Sequence, residues 1–175
     1  MSGHLLLAHR CILAFRAPHI LANASATSPS TLLIDHAHST ATVWRVLRWC
    51  YTGDYPYELP SDHSWADPEG VMRHTKVYFL ANELKIKDLK ALVAAKFCEW
   101  WADSVHWHRR KFCCALKDIY AATEFQESSE DVLRKAVLET AWRKHDDLLL
   151  EPVYREIMWE VEGFAAELAW KYLRK

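Results

Sequence analysis

The chain has 175 residues, of which 51% are hydrophobic and 13% aromatic, and its formal net charge is -1 at pH 7. Because disordered chains are poor in aromatic residues and unbalanced in charge, this composition excludes long disorder and allows a buried core. The 22 basic and 23 acidic residues lack the basic excess that is typical of general nucleic-acid binders. No nucleic-acid partner is therefore expected.

No segment reaches the roughly 18 consecutive apolar residues that a membrane-spanning helix needs, so no membrane partner is expected. The apolar run at residues 5–13 is interrupted by His9 and Arg10, and we interpret it as folded structure rather than as a secretory signal. The cysteines are odd in number and lie in apolar segments, which favours buried thiols in a reducing compartment, the cytoplasm or the nucleus. They are Cys11, Cys50, Cys98, Cys113 and Cys114.

The N-terminal quarter predicts a mixture of strands and helices. The short apolar run at residues 4–8 predicts a strand, and residues 9–23 predict a helix in which Pro18 starts a second turn. Residues 24–31 have the composition of a loop, and residues 31–35 predict a second short strand.

Residues 40–51 give the first clear helix. Gly53 follows it and can adopt the left-handed geometry of a helix C-cap, whereas Arg45 lies off the apolar face. The polar residues 60–69 predict a loop. The apolar face has the spacing i, i+3, i+4, i+7 and consists of Val43, Val46, Leu47 and Cys50.

The rest of the chain predicts helices almost throughout. Residues 71–101 form two of them, separated at residues 85–88, and a third carries the apolar face of Phe112 to Tyr120. Ser128 and Asp131 are spaced as a capping pair that opens a fourth. Pro152 suits the first turn of a fifth. The last helix carries a narrow apolar stripe of Val161, Phe164, Ala165, Leu168 and Tyr172, which we expect to pack on its own domain.

Two or three short strands followed by seven or more helices predict an α+β N-terminal part and an all-helical part after it. Seven short segments also occur in a recognisable order. The most specific is Leu-Arg-Trp-Cys-Tyr-Thr-Gly-Asp-Tyr at residues 47–55. The others lie at residues 9–14, 16–20, 32–34, 77–81, 84–86 and 89–92. With these segments, residues 5–97 resemble a BTB/POZ domain.

The resemblance implies an α+β BTB/POZ-like domain over residues 1–100, with short N-terminal strands and a helical cluster. Residues 101–108 would form a hinge, and residues 109–175 an all-helical extension similar to the tails of short fungal members. The implied function is protein–protein interaction as an intracellular scaffold, through homo- or hetero-oligomerisation, without catalysis. Within the family pattern, His9, Tyr51 and Gly53 occupy structural positions.

The chain departs from the family pattern in two places. The family's domain begins with a further strand before residues 5–8, so we expect a form that lacks the first strand. Relatives that recruit a cullin scaffold carry a hydrophobic-x-Glu motif where this chain has Thr42, Val43 and Trp44. Because the acidic residue is missing, a substrate adaptor for a cullin-type ubiquitin ligase is an alternative that the sequence does not favour.

Cysteine and histidine residues raise the alternative of a metal- or thiol-dependent enzyme. Short Cys-x-x-Cys or His-x-x-x-His spacings, which zinc sites use, are missing around Cys98, His106, His108, Cys113 and Cys114. A base and nucleophile pair of His9 and Cys11 would have poor geometry, and we interpret His9 as a buried histidine that bonds the backbone at the strand-to-helix junction. Asp146 and Asp147 are interpreted as a solvated helix end. The sequence therefore predicts no catalytic residue, no metal ligand and no cofactor.

The tryptophans give the candidate interaction surface, because Trp and Arg are enriched as anchors of protein interfaces. Its residues are Trp44, Arg48, Trp49 and Trp65. Coverage of these tryptophans by neighbouring helices is the open alternative. Trp100, Trp101 and Trp107 lie near Arg109 and Arg110, a mixture that can stack on single-stranded bases, although we favour a packed hinge.

Overall fold

The structure is a computed structural model and describes residues 6–22, 25–28, 31–33, 38–59, 72–103, 107–123 and 131–174. Ten helices and one antiparallel pair of strands lie in these residues. In chain order they are α1 (Arg10–Arg16), α2 (Pro18–Ala22), β1 (Ser25–Ser28), β2 (Thr31–Leu33), α3 (Thr40–Thr52), α4 (Arg73–Glu83), α5 (Lys87–Ala102), α6 (Arg109–Ala122), α7 (Val132–Arg143), α8 (His145–Leu148), α9 (Pro152–Glu160) and α10 (Phe164–Leu173).

The predicted α+β class is wrong, because the described architecture is helical. Its β-structure is limited to β1 and β2, which pair antiparallel with Ser25 opposite Leu33. Two short strands form no layer against which helices could pack. Residues 6–8, in the predicted first strand, lie outside any strand. Residues 25–28, predicted as loop, form β1 instead.

The helical predictions are largely confirmed. The expected break between α4 and α5 lies at residues 84–86, where Lys85 adopts φ 55°. Gly53 adopts φ 76° and its N–H binds the carbonyl of Trp49, the left-handed cap predicted for it. Pro152 occupies the first turn of α9. The predicted loop at residues 60–69 and the capping residue Ser128 lie outside the described residues.

Two compact units make up the chain, Met1–Leu92 and Val93–Lys175. The boundary between them falls within α5, so this helix contributes residues to both. The predicted limit of the first domain at residue 100 and the hinge at residues 101–108 stay predictions, since residues 104–106 lie outside the described part of the chain.

In the first unit, α3 supplies the centre of the core. Val43, Val46, Leu47 and Cys50 are buried as predicted. Arg45 is also buried, contrary to the expectation that it lies away from the core, and its Nη2 donates to the Tyr57 carbonyl over 3.0 Å. A buried guanidinium is stable only with such acceptors. Helix α3 is therefore buried on more than one face.

In the second unit, the core collects aromatic side chains. Phe97, Trp101 and Phe112 have ring centroids 5.3 to 6.4 Å apart, in tilted and edge-on contacts that aromatic pairs prefer. Phe164 and Leu168 of α10 are buried. The predicted packing of this helix on its own unit is thereby confirmed for Phe164 and Leu168, whereas Tyr172 of the same predicted stripe is 45% exposed.

A buried ion pair also lies in the second unit. Arg134 is 2% exposed, and its Nη2 donates to Glu167 Oε1 over 2.7 Å. The Tyr120 hydroxyl donates to Glu167 Oε2 over 2.7 Å, and the Arg134 guanidinium lies 4.1 Å from the Tyr120 ring centroid. Burial and the bond to Glu167 raise the pKa of Tyr120. This cluster joins α6, α7 and α10.

Candidate interaction surface

The structure separates the four predicted surface residues. Arg48 is exposed and Trp44 is half-buried, whereas Trp49 is only 4% exposed. Trp65 lies outside the described residues. Trp49 is buried because α3 is covered on more than one side, so it belongs to the core of the first unit and is not accessible as an anchor.

Among the described residues of the first unit, the most exposed large apolar side chains lie on and just before α1. Leu7 is 89% exposed and Phe15 is 83% exposed. Cys11 and Ala14 are exposed as well. Cys11, Ala14 and Phe15 fall at i, i+3 and i+4, so they share one side of the helix. We call these three residues, together with the exposed Leu7 just before the helix, the α1 face.

Helix α1 is held from its other side and at its start. Leu13 is the buried residue of α1. The backbone N–H of His9, the residue before the helix, donates to the Tyr51 hydroxyl over 2.5 Å, and His9 Nδ1 lies 2.9 Å from the same oxygen. His9 is exposed, so the prediction of a buried histidine is wrong. At the start of the helix His9 instead bonds the side-chain hydroxyl of Tyr51, which belongs to α3.

Basic side chains border the α1 face. Arg10 and Arg16 begin and end α1, and both are exposed. The Arg16 guanidinium lies 5.8 Å from the Phe15 ring centroid and 5.6 Å from that of Trp49. Cation–π contacts of this kind orient an arginine along aromatic surface. The face is thus apolar at its centre and positive at its ends.

The position of the cullin motif does not present an accessible contact patch. Thr42 and Val43 are buried in α3, and only Trp44 of the three residues is partly accessible. The backbone N–H of Thr42 donates to the Ser39 side chain that caps the helix, and the acidic position of the motif is taken by Trp44. The adaptor alternative thus gains no structural basis at these residues.

The thiols and histidines do not converge in the described residues. No group of three or more His, Cys, Asp or Glu that could hold a metal lies among them. Cys113 is buried, and burial raises its pKa to about 12. Cys114, next to it, is exposed, so the two thiols point to different environments. His106 lies outside the described residues.

The mixed tryptophan and arginine cluster of the second unit is engaged internally. Trp107 Nε1 donates to Asp147 Oδ2 over 2.6 Å, and Arg109 Nε donates to Asp147 Oδ1 over 2.9 Å. These bonds hold the pKa of Asp147 below its usual range. Asp147, which was expected to lie at a solvated helix end, therefore holds the side chains of Trp107 and Arg109 by hydrogen bonds. Trp101 is fully buried, and the half-buried Trp107 packs against the rings of Trp101 and Phe112.

The sequence contained a signal for the α1 face that the predictions did not use. Cys11, Ala14 and Phe15 recur at helical spacing within the helix predicted over residues 9–23, and Leu7 lies just before that helix. An apolar stripe on a helix predicts that a surface is buried by something, and it does not say whether the same chain supplies the cover.

Comparisons of the chain with protein family models, with curated proteins and with solved structures gave no match. The resemblance of residues 5–97 to a BTB/POZ domain therefore stays a prediction. No helix in the described residues is both long and apolar enough to cross a membrane. The α1 face, with its apolar centre and basic ends, is the feature from which a function can be inferred.

Proposed function

We propose that the chain is a protein–protein interaction module that works by oligomerisation, and that the α1 face is its docking surface. The observation that carries the proposal is the exposure of Phe15, 83%, on the side of α1 shared with Cys11 and Ala14, together with Leu7, 89% exposed, just before the helix. Isolated exposed apolar residues are ordinary, whereas a contiguous set marks a contact site.

The energetics of the face suit an interface. Burying a side chain such as Phe or Leu contributes about 1.5–3 kcal/mol. Phe15 and Leu7 could therefore act as the few residues that provide most of the binding energy. Cys11 and Ala14 are small and would let a partner approach the helix closely.

The face is also held in place before any partner arrives. A helix of seven residues is unstable alone. The Tyr51 bond at its N-terminal end and the buried Leu13 fix it to α3. Such preorganisation lowers the entropy that is lost on association.

A second copy of the chain is the partner that we propose for this face. The basic residues at its ends determine how the self-association depends on salt concentration. If two α1 faces meet, Arg10 and Arg16 bring like charges together. Salt screens that repulsion and would strengthen self-association. An acidic partner would show the opposite dependence. The five free thiols support a cytoplasmic or nuclear location as part of the same proposal.

The test is sedimentation velocity of the full chain across a concentration series at low and high salt. The wild type should self-associate, and Phe15→Asp should weaken the association at least tenfold because a charge would be buried in the contact. Trp159→Asp is the matched control, since Trp159 is 91% exposed but lies in the second unit.

Two outcomes would contradict the proposal. A wild-type chain that stays monomeric across the series excludes self-association through this face. An equal loss of association in Phe15→Asp and Trp159→Asp shows that any exposed aromatic residue, and not the α1 face, is responsible.

A further inference from the structure

Helix α10 has a second apolar side that the described residues do not cover. Ala166, Ala169, Trp170 and Leu173 recur at i, i+3, i+4 and i+7 and are all exposed. Trp170 is 62% exposed and Leu173 is 79% exposed. We call these four residues the α10 stripe. The opposite side of the helix, with Phe164 and Leu168, is already buried in the second unit.

The side chains of the α10 stripe are small at its N-terminal end and large at its C-terminal end. Gly163, which precedes the helix as its N-cap, and Ala166 lie at the N-terminal end, while Trp170 and Leu173 lie at the C-terminal end. Suppose two copies of α10 pack antiparallel about a two-fold axis at the level of Leu168. Ala166 of one copy then faces Trp170 of the other, and Gly163 faces Leu173. Small residues opposite large ones allow two helices to interdigitate.

The charges at the two ends of α10 match the same arrangement. Glu162 lies just before the helix and Arg174 just after it, and both are exposed. Neither residue forms an ion pair with another described residue. In the antiparallel register, Glu162 of each copy lies level with Arg174 of the other. The dipoles of two antiparallel helices also oppose each other favourably.

The position of Arg174 fits this role. Its guanidinium lies 5.7 Å from the Trp170 ring centroid, so the positive charge is held beside the stripe rather than away from it. A parallel pairing would bring Arg174 against Arg174 and Trp170 against Trp170. Both the side-chain sizes and the charges therefore select the antiparallel arrangement.

From these observations we propose that the α10 stripe binds the α10 stripe of a second copy of this chain, antiparallel, with Glu162 opposite Arg174. The proposal does not depend on the α1 face, which lies on the other unit. A helix of ten residues is about 15 Å long, so the contact is small and the association weak and concentration-dependent. Two self-complementary surfaces on one chain would let copies join in series.

Complementary charge reversal tests the register directly. Glu162→Arg and Arg174→Glu are each made in the full chain carrying Phe15→Asp, so that the α1 face does not contribute, and are measured by sedimentation equilibrium. Each variant alone places like charges together twice, and its association should be about tenfold weaker than that of the Phe15→Asp parent at low salt. An equal mixture of the two restores both opposite-charge pairs and should recover the affinity of the parent.

Controls separate this contact from general effects of charge. Lys135→Glu changes an exposed lysine of α7 in the same sense as Arg174→Glu and should leave association unchanged. Trp170→Ala should weaken association without lowering the melting temperature. The proposal is overturned if the Phe15→Asp parent is monomeric throughout, if both reversals associate as the parent does, or if their mixture binds no more tightly than each alone. If Phe15→Asp associates as tightly as the wild type while the charge-reversal pattern is as expected, only the proposed role of the α1 face is overturned.

Discussion

The Tyr51 hydroxyl accepts a hydrogen bond from the backbone N–H of His9, which lies 42 positions earlier in the chain. One side chain at the C-terminal end of α3 thus fixes the residue that precedes α1. The His9 ring meets the same oxygen, so the hydroxyl joins two groups of one residue. The orientation of the α1 face depends on this contact and on Leu13.

Tyr51→Phe removes the hydroxyl and keeps the ring. We expect stability to fall by about 0.5–1.5 kcal/mol, the usual net contribution of a hydrogen bond. Amide exchange should increase in residues 9–13 because the start of α1 is released. Hydrogen exchange and urea unfolding measure both effects, and Tyr172→Phe, an exposed tyrosine of the second unit, is the control. Unchanged exchange in residues 9–13 would show that the bond does not hold α1.

Trp49→Ala is expected to lower the free energy of unfolding by about 3–5 kcal/mol, as truncation of a buried aromatic side chain does. Arg48→Ala, at the exposed position next to it, should change it by less than about 0.5 kcal/mol. Chemical denaturation of both variants checks this. A Trp49→Ala variant with unchanged stability and weakened self-association would show that Trp49 is an interface residue and not a core residue.

Glu167→Gln leaves the Arg134 guanidinium buried without its counter-charge. Removing one member of a buried pair costs about 3–5 kcal/mol, and we expect the lower value because Glu167 is partly exposed. Replacing both residues, Arg134→Met with Glu167→Leu, should recover much of the loss, since no charge is then buried. Urea unfolding measures each variant. Glu160→Gln, whose partner Lys117 is exposed, is the control, and strictly additive losses in the double variant would contradict the coupling.

The bonds from Arg109 and Trp107 hold the pKa of Asp147 below its ordinary value of 3.8. A carboxyl whose folded pKa is lowered stabilises the protein above its unfolded pKa, and the contribution disappears as the pH falls through the folded value. The stability difference between wild type and Asp147→Asn should therefore be complete at neutral pH. It should shrink as the pH drops below 3.8. Thermal unfolding across this range measures it, and a difference independent of pH would exclude an ionised Asp147 as the cause.

Helical periodicity predicted the helices well because each packs at least one apolar face. The stripe of Val43, Val46, Leu47 and Cys50 located α3, and Gly53 located its end. The prediction failed just before α1, where residues 6–8 of the predicted strand form none, since a run of leucines before a helix has the same composition as a short strand. Periodicity also placed Arg45 and Trp49 outside the core, because a count of one stripe cannot show that α3 is covered on several sides.

The α10 stripe illustrates a different limit. The sequence gives two apolar stripes on the last helix, one with Phe164 and Leu168 and one with Trp170 and Leu173. Both obey the same spacing, so the correct prediction that the first stripe is buried does not show that the second is left exposed. Only the position of α10 against its neighbours separates the internal face from the free one.

The junction between the two compact units has a practical consequence. Residues 92 and 93 lie inside α5, so the peptide bond between the units belongs to a continuous helix. Proteases cleave exposed, locally unfolded backbone and act poorly on helices. Limited digestion should therefore not release the units at this point. Separate expression of either half would divide α5 into two short helical segments, and each fragment would carry a frayed end.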